Sequence, residues 1–176
     1  MRIAIDITPL SSAHKDRGVG KYTKLLVESL QKYESKHSYT LFERGKKVPE
    51  NIDVVHYPHF DPFFLTLPLI KTKPTVVTIH DLIPIKYPDK FPRGIRGEVK
   101  WQIQRYSLTS ATRIIADSAS SKRDILKHVG YDQNNISVVH LAPDPAIIAG
   151  AGNGSERRKF LIYVGDLNWN KNIYGL

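Results

Sequence analysis

The sequence predicts an α/β protein, a Rossmann-like open parallel sheet with helices on both faces. Three observations predict it. Short apolar, β-branched runs recur along the chain, stretches of three- and four-residue apolar spacing separate them, and one run is apolar nearly throughout, as in a strand covered on both faces. Strands joined through helices pair in parallel, by right-handed crossovers.

Residues 2–8 (RIAIDIT) carry Ile at every second position and then meet Pro9, so a strand ending in a loop is expected. From Val19 onward Tyr22, Leu25, Leu26, Leu30 and Tyr33 recur at helical steps and predict a helix. Residues 39–42 form a short strand, 53–57 (DVVHY) the next, and 75–80 (TVVTIH) a buried one. Ile95, Val99, Ile103 and Tyr106 mark the apolar face of a further helix, and residues 113–116 (RIIA) another strand. The serines from Ser118 to Ser121 are N-cap candidates, and Ser121 with Asp124 three residues later resembles a capping box. The helix over 122–129 should stop at Gly130, a natural residue for a left-handed cap. Residues 136–141 (ISVVHL) are the last strand of this unit, and no internal repeat is present.

Residues 143–159 are rich in Gly, Pro and charge and read as a linker, with a boundary near Glu156. The expected organisation is therefore a Rossmann-like domain over 1–155, then linker and the first strand of a second domain over 156–176. In that second part 160–164 (FLIYV) reads as a buried strand, 165–170 as a turn and 172–176 as the first turn of a helix. One strand and one helical turn cannot bury their apolar faces alone. Either they pack back on the first domain or a second domain completes them.

The chain has 176 residues, 41% hydrophobic and 24% charged, which suits one well-formed core and excludes collagen-like or largely disordered readings. With 0 Cys, disulfides, zinc ribbons and thiol nucleophiles are excluded. Asp6 interrupts the apolar N-terminal run and no stretch approaches the ~20 apolar residues of a membrane span, so a cytoplasmic protein is expected. The net charge of +9 favours polyanionic partners, namely nucleotide phosphates, nucleic acid or an anionic membrane face. No aromatic RNA-reading strand and no basic recognition helix supports nucleic acid.

Ligands of open parallel sheets bind outside the carboxyl ends of the strands. There the sequence places Arg17-Gly18-Val19-Gly20 at a helix start, His56 and His59 around Tyr57-Pro58, His80-Asp81, and Asp117-Ser118. Gly18, Val19 and Gly20 either let backbone approach an anion at a helix N-terminus or merely start that helix. The dinucleotide fingerprint would need a third glycine where Thr23 stands and a tighter turn after the strand. An imidazole at His80 suits proton sharing near neutrality, or a hydrogen bond to a loop carbonyl. His56 and His59 read as structural rather than as a metal pair, since Tyr57-Pro58 prevents a helical spacing and no third ligand is close. The apolar segment 61–70 (DPFFLTLPLI), followed by Lys71 and Lys73, reads as a segment packed on the sheet or as a peripheral membrane contact through 61–73.

Taken in order, these residues resemble the N-terminal domain of retaining family-four glycosyltransferases of the GT-B fold. The resemblance runs through Ile5-Asp6, Gly18-Val19-Gly20-Lys21-Tyr22, His80-Asp81-Leu82-Ile83-Pro84 with Tyr87-Pro88 and Phe91, Asp117-Ser118 and Ser121-Lys122-Arg123-Asp124-Ile125. It continues through Leu141-Ala142-Pro143-Asp144 to Tyr163-Val164-Gly165 and Lys171-Asn172. It implies transfer of a hexose such as mannose or glucose from a nucleotide-sugar donor to a glycan or lipid-linked acceptor, as in polysaccharide biosynthesis, with no cofactor and no metal. By the resemblance, His80 sits at the reaction centre and Lys171 neutralises the leaving diphosphate, while Arg17, Gly18, Val19, Gly20, Asp81 and Ser118 contact substrate. Asp166 stands where many relatives, though not all branches, have Arg, so Lys171 is expected to act with a cation elsewhere. The resemblance also implies a C-terminal domain in the full-length protein, so these 176 residues alone are expected to be inactive.

Two other classes compete. A dinucleotide-dependent oxidoreductase domain would use an acidic residue such as Glu43 after the second strand. A non-catalytic binding module would need a partner chain to complete the cleft.

Overall fold

The computed structural model describes residues 1–150, 162–165 and 167–175. The chain divides into two compact units, Met1–Leu141 and Ala142–Leu176.

In the first unit, among the described residues, six strands form one parallel sheet: β1 (Arg2–Asp6), β2 (Ser38–Phe42), β3 (Val54–Tyr57), β4 (Thr75–Ile79), β5 (Arg113–Ala116) and β6 (Ile136–Val138). Their spatial order is β2-β1-β3-β4-β5-β6. The chain runs outward from β1 to β2, returns past β1 to β3 and then builds in the other direction, so the order reverses between β1 and β3. That reversal opens a crevice at the carboxyl ends of the strands.

The helices of this unit are α1 (Thr8–Ser11), α2 (Gly18–Tyr33), α3 (Ile83–Lys86), α4 (Gly94–Thr109) and α5 (Ala119–Val129). Alternation along β4 shows how they cover both faces. Val77 and Ile79 join a core with Trp101 and Leu108 of α4 and Ile125 and Val129 of α5. Thr78, pointing the other way, meets Tyr22 of α2 at 3.5 Å and His56 of β3 at 2.9 Å. Val27 of α2 and Ile5 are buried outside the main cluster.

Several expectations are corrected. β1 ends at Asp6 because its carboxylate accepts the Thr8 N–H and hydroxyl and turns the chain into α1. The expected apolar face of α4 is the outer one: Ile95, Val99 and Tyr106 are exposed, Ile95 at 86%. The buried face is Gly97, Trp101, Gln104, Ser107 and Leu108. Residues 61–73 supply no strand to pair their N–H groups, so a buried side-chain amide does so: Gln104 Oε1 accepts from Thr66 N, Thr66 Oγ1 and Leu67 N at 2.9–3.0 Å. The capping box at Ser121 does not form. Ser118 is the N-cap of α5, accepting from Ser121 N at 3.0 Å, and Asp124 instead meets Lys86. Gly130 does close α5 in the left-handed region, at φ 75°.

The second unit holds α6 (Pro145–Gly150) and single 3₁₀ turns at Trp169–Lys171 and Ile173–Gly175. The expected linker over 143–159 thus contains a helix where it is described. Phe160, Leu161, Glu156 and Asp166 lie outside the described residues. Ile162, Tyr163 and Val164 form no strand, and Val164 is 86% exposed, since no described strand of this unit lies beside them to complete a ladder.

Candidate functional site

β4 and β5 pair with Ile79 opposite Ala116. The next residue on each strand is therefore His80 and Asp117, and the register brings them side by side. His80 Nδ1 lies 2.7 Å from Asp117 Oδ2, and Nε2 lies 3.1 Å from the Pro58 carbonyl after β3. The carboxylate and the carbonyl fix the orientation of the ring from both of its nitrogens. The ring also packs edge to face with Tyr22 of α2, centroids 4.7 Å apart. Its own carbonyl accepts the Ser121 hydroxyl of α5 at 2.8 Å. The imidazole is thus held by Tyr22 of α2, Pro58 after β3 and Asp117 after β5, and the His80 main chain by Ser121 of α5, while Asp117 Oδ1 is buried with no protein partner.

α2 touches this ring through Tyr22, just past its first turn. No side chain caps it, and its first turn holds no acidic residue. Free N–H groups there suit an anion. Arg17 and Gly18 are exposed, Val19 is half-buried and Gly20 is buried. A Cβ on Gly20 would lie 2.3 Å from Lys15 O and 2.4 Å from His14 O, so this glycine is required by the loop that folds against the helix start. Gly18 faces open space. Thr23, where a third glycine of a dinucleotide fingerprint would stand, is fully buried and donates to Val19 O at 2.9 Å.

The structure gives two predicted substrate contacts local bonds. Asp81 Oδ1 accepts the Ile83 N–H at 3.0 Å, which starts α3, and its side chain is exposed. Ser118 uses its oxygen as the α5 cap and approaches the Ser121 hydroxyl at 3.1 Å. Lys171 ends a 3₁₀ turn in the second unit and is exposed.

A second group at the crevice is legible only after folding. Asp6, 1% exposed, lies 3.6 Å from Arg44. His14 and His59 pack ring against ring at 4.9 Å. His59 is buried and neither ring nitrogen has a partner. Burial, with the cationic edges of His14, His80 and Arg44 nearby, pushes its pKa down to about 3. Burial and neighbouring His80 push His56 down to about 4. Both rings are neutral at pH 7, which fits their reading as structural residues. Sequence reasoning passed over Asp117 as a partner for His80, although its position at a strand end was the available signal. Asp6 and Tyr22 stood within the resembling motifs but without a role, and Arg44 carried no signal.

Among the described residues no group of three His, Cys, Asp or Glu could hold a metal ion. The family model described as Glycosyltransferase Family 4 matches residues 33–146, more than half of the chain. The matched span includes His80, Asp81, Asp117 and Ser118; Arg17, Gly18, Val19, Gly20 and Lys171 lie outside it. No curated protein matches the sequence.

Proposed function

The chain belongs to glycosyltransferase family 4, and on that premise we propose that residues 1–155 form the acceptor-side domain of an enzyme transferring a hexose, mannose or glucose, with retention. The donor is a nucleotide sugar and the acceptor a glycan or lipid-linked sugar. The observation that carries this reading is the His80–Asp117 pair at the carboxyl ends of β4 and β5, with Tyr22 of the uncapped helix α2 against the ring. The α2 N–H groups and Arg17 offer the diphosphate a positive edge, and His80 donates to the sugar from a ring whose orientation is fixed. Both His80 nitrogens are engaged, so in donating to the sugar Nε2 exchanges the Pro58 carbonyl for a sugar oxygen while Asp117 keeps hold of Nδ1. Lys171 is assigned to the leaving diphosphate, where a fixed cation stabilises developing charge.

Among the described residues no helix is long and apolar enough to cross a membrane. Exposed Phe64, Leu65, Leu69 and Ile70 support peripheral contact with a membrane, and the enzyme is read as cytoplasmic. The 176 residues alone are expected to turn over little nucleotide sugar, as residues 156–176 belong in this reading to the donor-side domain. The test is hexose transfer by the full-length gene product. Asp117→Asn should lower kcat on the order of 100-fold, the scale of a mispositioned reacting group, with the fold kept by circular dichroism. Unchanged kinetics would remove the pair from the site.

A further inference from the structure

The connection from β3 to β4, residues 58–74, forms no helix, so part of the sheet is roofed by irregular chain. A cavity of about 290 Å³ remains under that roof, near the small end of the range for ligand pockets. Its walls are apolar, with Val48, Val55, Leu67 and Pro68 among them, and four cations line it: Arg44, Lys46, Lys71 and Lys73. No carboxylate lines it. The charges are poorly matched elsewhere. Arg44 meets Asp6 at 3.6 Å and Lys46 meets Glu43 at 3.9 Å, both long contacts, while the Lys71 ammonium donates only to neutral oxygens of Pro68, Ser107 and Ser110. Lys73 has no ion-pair partner among the described residues. Leu65 and Ile70 also line the cavity and are exposed, Ile70 at 82%.

We propose that this cavity binds a lipid phosphate, an apolar chain bearing a phosphate group, with the anion among the lysines and Arg44 and the chain along Val48, Val55 and Leu67. With four cations and no carboxylate among its lining residues the space favours an anion, and Arg44 and Lys46 are only loosely held by Asp6 and Glu43. The walls present no acidic or amide side chain that could read a base or a ribose, and the exposed Leu65 and Ile70 suit a chain drawn from a bilayer. Calling the occupant an acceptor rests on the transferase reading. The binding itself does not, and it is measured without transfer.

The experiment is titration calorimetry of the chain with farnesyl phosphate below its micelle concentration, with inorganic phosphate and dodecyltrimethylammonium as comparisons. One-to-one binding of farnesyl phosphate, at least tenfold tighter than either comparison, is expected. The double variant Lys46→Glu with Lys73→Glu should weaken it at least tenfold. Val48→Trp, which fills the space from a partly buried wall, should abolish it, with near-ultraviolet circular dichroism reporting the fold of each variant. Equal affinity for inorganic phosphate would leave a free-phosphate site and overturn the proposal. Equal affinity for the cationic amphiphile, or binding untouched by the charge variant in a folded protein, would overturn it too. Loss of hexose transfer with this binding intact would count against the transferase reading alone.

Discussion

The rim around His80 and the cavity under residues 65–73 belong to one compact unit, yet they treat buried polarity in opposite ways. At the rim the protein answers most of its own groups, His80 with Asp117 and Pro58 O, Ser121 with His80 O and His56 with Thr78, while Asp117 Oδ1 and the two His59 nitrogens stay without a partner. At the cavity no carboxylate is among the lining residues, Arg44 and Lys46 reach Asp6 and Glu43 only at 3.6 and 3.9 Å, and Lys71 is met by neutral oxygens only. A site bonded in advance holds its geometry before a ligand arrives, as transfer chemistry needs. A site with uncompensated charge leaves the ligand to supply the balance.

The largest expected effect is on the rim and comes from acid. In the unfolded chain His56 and His59 take up protons below about 6.5, while burial holds the folded rings neutral down to about 4 and about 3. The unfolded state therefore binds more protons as the pH falls, and stability is lost from about 6.5 downward. The loss is about 1.4 kcal/mol per unit for each ring, until the folded-state values are reached. Urea unfolding between pH 7 and 4 measures it. The double variant His56→Gln with His59→Leu should show a flatter profile, and an equally steep one would assign the acid sensitivity to other groups.

Next in size is the roof of the cavity. Gln104→Leu leaves the Thr66 and Leu67 donors buried without their shared acceptor and should destabilise by about 3 kcal/mol in denaturant unfolding. A loss below about 1 kcal/mol would mean that residues 61–73 hold their shape without α4, and the contrast between a bonded rim and a loosely roofed cavity would widen. The smallest effect is alkaline. Burial lowers Lys71 from 10.5 to about 8, so as the pH rises from about 8 to 10.5 the folded ammonium is lost first and stability increases. Half-exposure keeps the increase small. A flat profile in Lys71→Met, against a rising one in the parent protein, is the expected result.

The six strands of the first unit were readable because their β-branched runs are short and bounded by Pro, Gly and charge. α4 shows where that reading stops. Its apolar spacing was real, but Ile95, Val99 and Tyr106 face outward, because what α4 must bury is Trp101 and an amide for the neighbouring loop. Hydrophobic pattern tells which residues would gain from burial; it is silent on backbone N–H groups of a distant segment that need an acceptor. At the site, Gly18, Gly20, His80, Asp81 and Ser118 were visible as unusual residues at strand and helix ends. Their work was not. Ser118 and Asp81 bond their own turns, and Gly20 is demanded by His14 and Lys15 carbonyls.

The sequence by itself determined the α/β class, the strand runs, the stop at Gly130 and the row of polar residues after the strands, since all follow from local spacing and backbone preference, but it left the choice among the N-cap serines to the fold. Only the tertiary structure decided that β4 and β5 lie side by side, which joins His80 to Asp117 across 37 residues. It also decided that a helix-free connection roofs a cation-lined cavity. The physical reason is common to both. Pairing order and layer filling depend on which distant surfaces exclude water together, and no local stretch of sequence contains that information.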